Sequence, residues 1–321
     1  VSNVLAGSAS VRAELRRRVE NAMQVLDYHP NQIARSLKTR QTKTLGMVIS
    51  DITNPFFPQV VRGAEDAAIE SGFLLIMLNS DDNPERERRA LSMLRARKVD
   101  GLLLTVAAAG EDMKHVEQFR DSGLPIVCID RKVPDIPLDL VCSDNARGAK
   151  MCMQHLLSRG HRRIGYLSGS AGLYTAVTRL DGFNQALEEA GIAADPRLVR
   201  HGDFRRESGY RLAKEMLLDH EAPTALFASN AMMGFGALKA IHELGLRCPE
   251  DVALAMFDDV PFGDVIQPRL TVVAHPAYEM GQVGARLLIA RLEGRETSPE
   301  PICLTLAPEL LVRESTIARR S

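Results

Sequence analysis

The run Leu45-Gly46-Met47-Val48-Ile49-Ser50-Asp51-Ile52-Thr53-Asn54-Pro55-Phe56-Phe57 decides the fold. Its first five residues are uncharged and apolar without interruption, the pattern of a strand buried on both faces. Polar residues and a proline then break it, and helix-type spacing continues to about Ser71. The unit recurs. Phe73–Leu78 reads as a strand and Pro84–Lys98 as a charged helix; Val99–Thr105 and Pro125–Ile129 read as strands with a helix near 111–122 between them. A second set opens with a helix at 146–159. Strands follow near 163–168, 224–229, 252–257 and Leu270–Ala274, with helices at 177–190, 206–219 and 232–244. A helix at 277–293 and short strands within 302–314 close the chain. Repeated units of this kind predict an α/β protein with two doubly wound parallel sheets, in two lobes of similar size.

Upstream the character changes. Residues 1–43 carry eight Lys and Arg against Glu14, Glu20 and Asp27, a net +5, which leaves −6 for the remainder of a chain whose total is −1. A basic head on a mildly acidic body points to an anionic partner for the head alone. Residues 1–7 read as the tail of a helix ended by Gly7, and 11–27 as an amphipathic helix with Leu15, Val19, Ala22, Met23 and Leu26 on one face. Between head and body lies Tyr28-His29-Pro30-Asn31-Gln32-Ile33-Ala34-Arg35-Ser36-Leu37-Lys38-Thr39-Arg40. Asn31 is a candidate cap for a short helix through Leu37, too short to be stable without a partner.

At 321 residues the chain has room for about two domains. Its five cysteines are scattered with no metal or disulfide spacing, which suits a reducing compartment. No apolar run reaches the ~20 residues of a membrane span, and the N-terminus has no signal-peptide pattern, so a cytoplasmic location is expected. Catalytic motifs are missing: no Walker A sequence, no Gly-x-Ser-x-Gly elbow and no metal-spaced histidines. Gly234-Phe235-Gly236 falls inside a helical pattern and reads as close helix packing. The expectation is a protein that is not an enzyme and needs no cofactor or metal.

In open parallel sheets ligands bind beyond the carboxyl ends of the strands. The residues found there are Asn54, Phe56 and Phe57; Asp130 and Arg131; Asn230; Asp258; and His275. Adjacent aromatics with Asp, Arg and Asn are the tools for a small polyol: rings cover the apolar face of a sugar and the polar groups satisfy its hydroxyls. Singly, each has a plainer role, because Asp and Asn at strand ends often cap the next helix.

These residues resemble the lactose/galactose-repressor family of bacterial transcription regulators along essentially the whole chain. Val1-Ser2-Asn3-Val4-Leu5-Ala6-Gly7 resembles the end of that family's recognition helix, and Tyr28–Leu37 its hinge helix. Thr53–Phe57, Ala228–Asn230, Phe257–Asp259 and Leu311–Ser315 match its signatures in order. The resemblance implies a remnant of a helix-turn-helix head at 1–30, a hinge helix and linker at 31–43, and an effector-binding and dimerisation body at 44–321. In that body the N-lobe would span about 44–143 plus 276–306, and the C-lobe about 144–275 plus 307–321. It also implies a homodimeric, N-terminally truncated repressor that binds operator DNA. Leu37 would wedge into the minor groove with Ala34 beside it, kinking the duplex, while Asn31, Arg35 and Lys38 hold phosphates and Asn3 belongs to the recognition helix. For the effector it implies Asn54, Phe56, Phe57, Asp130, Arg131, Thr175, Arg179, Phe204, Asn230, Asp258 and His275. This set favours a monosaccharide such as a pentose over a purine. The sequence departs from the family pattern at Arg12 (usually Ser), Asp27 (usually Gly), Ala231 (usually Asp) and His275 (often Gln). The rival expectation is a solute-binding protein of a sugar transport system, with the same lobes.

Overall fold

The computed structural model describes residues 4, 12–26, 41–107 and 113–317. The chain divides into two compact units, Val1–Thr42 and Lys43–Ser321. In the first, helix α1 (Ala13–Val25) follows Arg12, whose side chain makes no capping hydrogen bond, and none of the helix's residues is buried. Asn3, Asn31, Ala34, Arg35, Leu37 and Lys38 lie outside the described residues.

The second unit holds two six-stranded sheets. The first contains β1 (Thr44–Ile49), β2 (Leu74–Asn79), β3 (Gly101–Leu104), β4 (Ile126–Ile129), β5 (Asp139–Ser143) and β11 (Cys303–Leu306), in the order β11-β5-β4-β3-β1-β2. The second contains β6 (Ile164–Ser168), β7 (Val199–His201), β8 (Ala225–Ala228), β9 (Ala253–Phe257), β10 (Thr271–Ala274) and β12 (Glu309–Leu311), in the order β12-β10-β9-β8-β6-β7. The two orders correspond strand for strand. They differ at one edge, where β11 runs parallel to β5 but β12 runs antiparallel to β10. The central strands β3, β4, β8 and β9 are buried along their whole length, which is why the sequence shows apolar runs without alternation.

Helices cover both faces of each sheet. On the first, α2 (Phe56–Glu70) and α9 (Ala277–Leu292) enclose one core with Leu45, Met47 and Ile49, while α3 (Pro84–Ala96) and α4 (Lys114–Asp121) enclose another with Val48, Leu102 and Leu104. On the second, α7 (Arg206–Leu217) and α8 (Ala231–Glu243) lie opposite α5 (Asn145–Ser158) and α6 (Tyr174–Glu189). The Gly234–Gly236 run is packing, as its spacing suggests: a Cβ on Gly236 would stand 2.1 Å from the Arg206 carbonyl oxygen of α7. The chain passes between the sheets three times, at 143–145, 274–277 and 306–309.

Two strands escape the sequence pattern. β7 is three residues long at a sheet edge and contains Arg200 and His201. β5 starts on Asp139 just after a proline, yet it is buried throughout. Its carboxylate is neutralised from α9, where Arg291 donates from Nε at 2.8 Å and from Nη2 at 2.9 Å. A short apolar run with an acid at its head reads as a loop until that distant partner is known. Helix α6 starts at Tyr174, three residues before the apolar spacing indicates. The earlier start places Thr175 and Arg179 one turn apart on one face.

Candidate ligand-binding cleft

The carboxyl ends of the two sheets face one another. Ser50 and Asp51 follow β1, Asp81 and Asp82 follow β2, and Asp130 and Arg131 follow β4. From the other sheet come Phe204 after β7, Asn230 after β8 and Asp258 after β9, with Thr175 and Arg179 from the first turns of α6. Between them lies a cavity with a void of about 390 Å³, including the part open to solvent. It is lined by Asn54, Phe56, Phe57, Asp130, Arg131, Thr175, Arg179, Phe204, Asn230 and Asp258, together with Ser50, Asp51 and Asp82. Ten of the eleven residues singled out for the effector therefore share one cavity.

His275 is the exception. It stands behind the wall, its ring stacked on Phe257 at 5.2 Å, with Nε2 3.2 Å from Arg179 Nη2. Since Arg179 can only donate, Nε2 accepts in that contact; the same Nε2 lies 3.5 Å from Asp258 Oδ1. Burial, with the guanidinium beside it, holds the His275 pKa well below its usual value. It orients Arg179 and does not line the cavity.

The turns that build the site are unusual backbone. Asp130, Phe204 and Asp258 have φ of 67°, 64° and 70°, and Asp81 and Asp82 lie in the same left-handed region. Aspartate tolerates that conformation moderately; for a bulky Phe it is a real outlier. Phe204 is held there by its carbonyl, which accepts from Asn230 Nδ2 at 2.9 Å, and by its ring, which lies where a Cβ on Gly169 would be. Asp130 and Asp258 are counterparts in the two sheets, each amide bonded to the next strand, at Val141 and Val273 respectively.

Electrostatics centre on Arg179. Its Nε donates to Asn145 Oδ1 at 2.7 Å and Nη1 to the Ser229 carbonyl, while the guanidinium lies 4.0 Å from the centre of the Phe257 ring. Burial raises the Asp258 pKa to about 6, against the opposing pull of Arg179. Asp130 is raised by the same cause, with Arg179 and Arg131 opposing. Arg131 donates through Nη1 to Asp82 and to the Val106 carbonyl. Buried atoms at the wall stay without hydrogen-bond partners: Ser50 Oγ, Asp130 Oδ1 and Arg131 Nε. In a native interior such atoms are nearly always satisfied, by protein, water or ligand.

Capping and lining coincide here. Asn230 Oδ1 caps α8 by accepting from Met233 N at 2.9 Å, and Asn54 Oδ1 accepts from Phe56 N at 3.1 Å. The plain role of these two residues is real, and it holds them in the wall. Ser50, Asp51 and Asp82 also follow strands, so the rule used on the sequence extends to them. Asn145 and Arg205 go unread because they follow β5 and β7, the two strands that escape the sequence pattern.

Two lobes that meet at the carboxyl ends of parallel sheets around a polar cavity define a ligand-binding body of the periplasmic-binding-protein kind. Residues 153–316 match the periplasmic binding protein-like domain, and residues 1–31 match the bacterial regulatory proteins of the lacI family. Over 316 residues the chain is 33% identical to the ribose operon repressor of Halalkalibacterium halodurans, spanning 98% of this chain and 92% of that one. It is 34% identical over 317 residues to the HTH-type transcriptional regulator DegA of Bacillus subtilis, at 98% and 93% coverage. A LacI family regulator from Enterococcus faecium, solved with bound ribose, superposes with a TM-score of 0.77 at 30% identity, covering 86% of this chain and 100% of that one. The chain belongs to the lacI family and is a DNA-binding transcriptional regulator. The transport-protein alternative falls, since the head matches a regulator's and these relatives are named for regulation. Among the described residues no helix is long and apolar enough to cross a membrane.

Proposed function

We propose that the protein is a cytoplasmic homodimeric repressor whose operator binding is controlled by an uncharged monosaccharide, of pentose size, held between the lobes. The observation that carries this is the composition of the cavity wall. Phe56, Phe57 and Phe204 supply apolar faces for a sugar ring, and Asp130 and Asp258 supply acceptors for its hydroxyls. Asp51, Asp82, Asp130 and Asp258 face Arg131, Arg179 and the nearby Arg205, four acids to three guanidiniums with no excess positive charge, and each guanidinium already has protein partners. That arrangement suits a neutral polyol and disfavours a sugar phosphate, which needs uncommitted cations. The relative solved with ribose supports a pentose in particular.

Calorimetry against pentoses, hexoses and purines tests it. A pentose is expected to bind, and Asp258→Ala and Arg179→Ala to bind it far more weakly; equal affinity in the variants would refute the site. In the head, Leu37 is proposed as the minor-groove wedge. Leu37→Ala should lose specific operator affinity while keeping nonspecific, salt-sensitive binding. Equal loss of both would refute the wedge.

A further inference from the structure

Arg205 crosses the cleft. Its Cα belongs to the second sheet's lobe, between Phe204 and the start of α7, but its guanidinium binds carboxylates that follow β1 and β2 of the first. Nη1 donates to Asp51 Oδ2, Nη2 donates to Asp81 Oδ1 at 2.9 Å, and Asp82 Oδ2 is 4.0 Å away. Its backbone is tethered in turn, because Arg205 N donates to Asp203 Oδ1 at 2.9 Å and Asp203 Oδ1 also accepts from Ser208 Oγ. Two of the three acids have a cation of their own lobe: Arg86 Nη1 lies 2.8 Å from Asp81, and Arg131 holds Asp82. Asp51 is buried at 5% exposure and lines the cavity, so the charge that reaches it from across the gap also closes that wall.

We propose that Arg205 is a latch: its ion pairs to Asp51 and Asp81 bias the two lobes toward the closed arrangement and so set how tightly the cavity holds its ligand. The affinity part rests on the monosaccharide reading above; the closure part does not. A latch of partly exposed ion pairs is individually weak and salt-sensitive. It acts through population, because apparent affinity scales with the fraction of molecules whose cavity is formed. Phe204, one residue away, is part of the cavity wall, so one turn, tethered within its own lobe, carries both the latch and this ring.

The test measures the lobe separation directly. Spin labels at Arg89→Cys on α3 and Arg211→Cys on α7, in a Cys303→Ser background that removes the exposed native thiol, report it by pulsed electron resonance on the ligand-free protein. Arg205→Glu, which sets a like charge against the acids, is expected to move the distance distribution to longer values. Arg205→Lys should stay near the parent, and 0.5 M salt should move the parent part of the way. Superimposable distributions for the parent and Arg205→Glu overturn the latch. With the tightest-binding sugar of the panel, Arg205→Gln should raise Kd roughly tenfold and Arg205→Glu further. Unchanged affinity in a protein whose distribution has shifted overturns the link to ligand binding. If no sugar binds the parent, the monosaccharide reading fails while the distance measurement still decides the latch.

Discussion

Arg179→Met is the perturbation whose outcome the structure constrains most tightly. The arginine is 4% exposed, and methionine fills much of its volume. Three acceptors lose their donor: Asn145 Oδ1, the Ser229 carbonyl and His275 Nε2. The two buried carboxylates Asp130 and Asp258 also lose their largest favourable neighbour. Each unsatisfied buried acceptor costs about 1–3 kcal/mol, and the lost through-space attraction on the two buried carboxylates adds to it. These terms overlap, so the expected loss at pH 7.5 is about 3–5 kcal/mol rather than their sum. The sign with pH follows from linkage. Without the guanidinium, the folded-state pKa values of both carboxyls rise further above their unfolded values, and each proton taken up removes a charge that lacks a partner. The loss must therefore be largest above pH 7 and shrink as pH falls through 6, where Asp258 in the parent already gains its proton. Urea unfolding of parent and variant at pH 7.5 and 5.0 measures this, with Arg179→Met/Asp258→Asn expected to recover part of the loss at pH 7.5. A loss below about 1 kcal/mol, or one equal at both pH values, would refute the placing of Arg179 as the counter-charge of the cleft.

Three further predictions concern single contacts. If sugar hydroxyls donate to the ionised Asp258 as proposed, effector affinity should fall below about pH 6, because the Asp258 pKa is raised to about 6; binding then releases a proton, visible as a buffer-dependent heat, and Asp258→Asn abolishes that dependence. Gly169→Ala places a Cβ 2.0 Å from the Phe204 ring, so it should cost about 1–3 kcal/mol in thermal unfolding and weaken the effector together with it; an unchanged melting temperature would mean that the ring is not held there. Arg291→Ala strands the buried Asp139 carboxylate at the head of β5 and should cost about 2–3 kcal/mol in urea, less than a fully buried pair because Arg291 is partly exposed. Adding Asp139→Asn should return part of it, and no recovery would mean that the charge is not what matters.

The alternation of apolar runs and amphipathic spacing made both sheets legible, because their central strands are buried on both faces and have no polar register to confuse them. What failed to show was whatever depends on a partner far along the chain. β5 reads as a loop since Asp139 is unfavourable in a strand until Arg291, 152 residues later, neutralises it. The cavity was legible through one geometric rule, that ligands lie beyond strand ends. That rule also covers His275, which follows β10 but turns behind the wall to face Arg179. A position at a strand end fixes the backbone's place and leaves the side chain's direction open. Arg205 shows the converse: it follows Phe204 at the same strand end, yet nothing local reveals that its guanidinium spans to Asp51 and Asp81.

The same hydrogen bonds suggest why a ligand in this cleft is felt by the whole body. Any rotation of one lobe against the other must be absorbed where the chain crosses between them, at 143–145, 274–277 and 306–309. Two of those crossings hold Arg179: Asn145, in the first, accepts from its Nε, and His275, in the second, accepts from its Nη2. Asn145 further ties the first crossing to itself, its Nδ2 donating to the Ser143 carbonyl at 3.2 Å. A hydroxyl that engages Arg179 thus acts on a guanidinium two of whose bonds end on the crossings, while the third ends on the Ser229 carbonyl. If cleft and head are coupled as proposed, linkage makes the coupling reciprocal, and bound DNA must change ligand affinity by the same factor that ligand changes DNA affinity. The residues that set that factor need not touch either partner; Asn145 and His275 touch the one side chain that both crossings share.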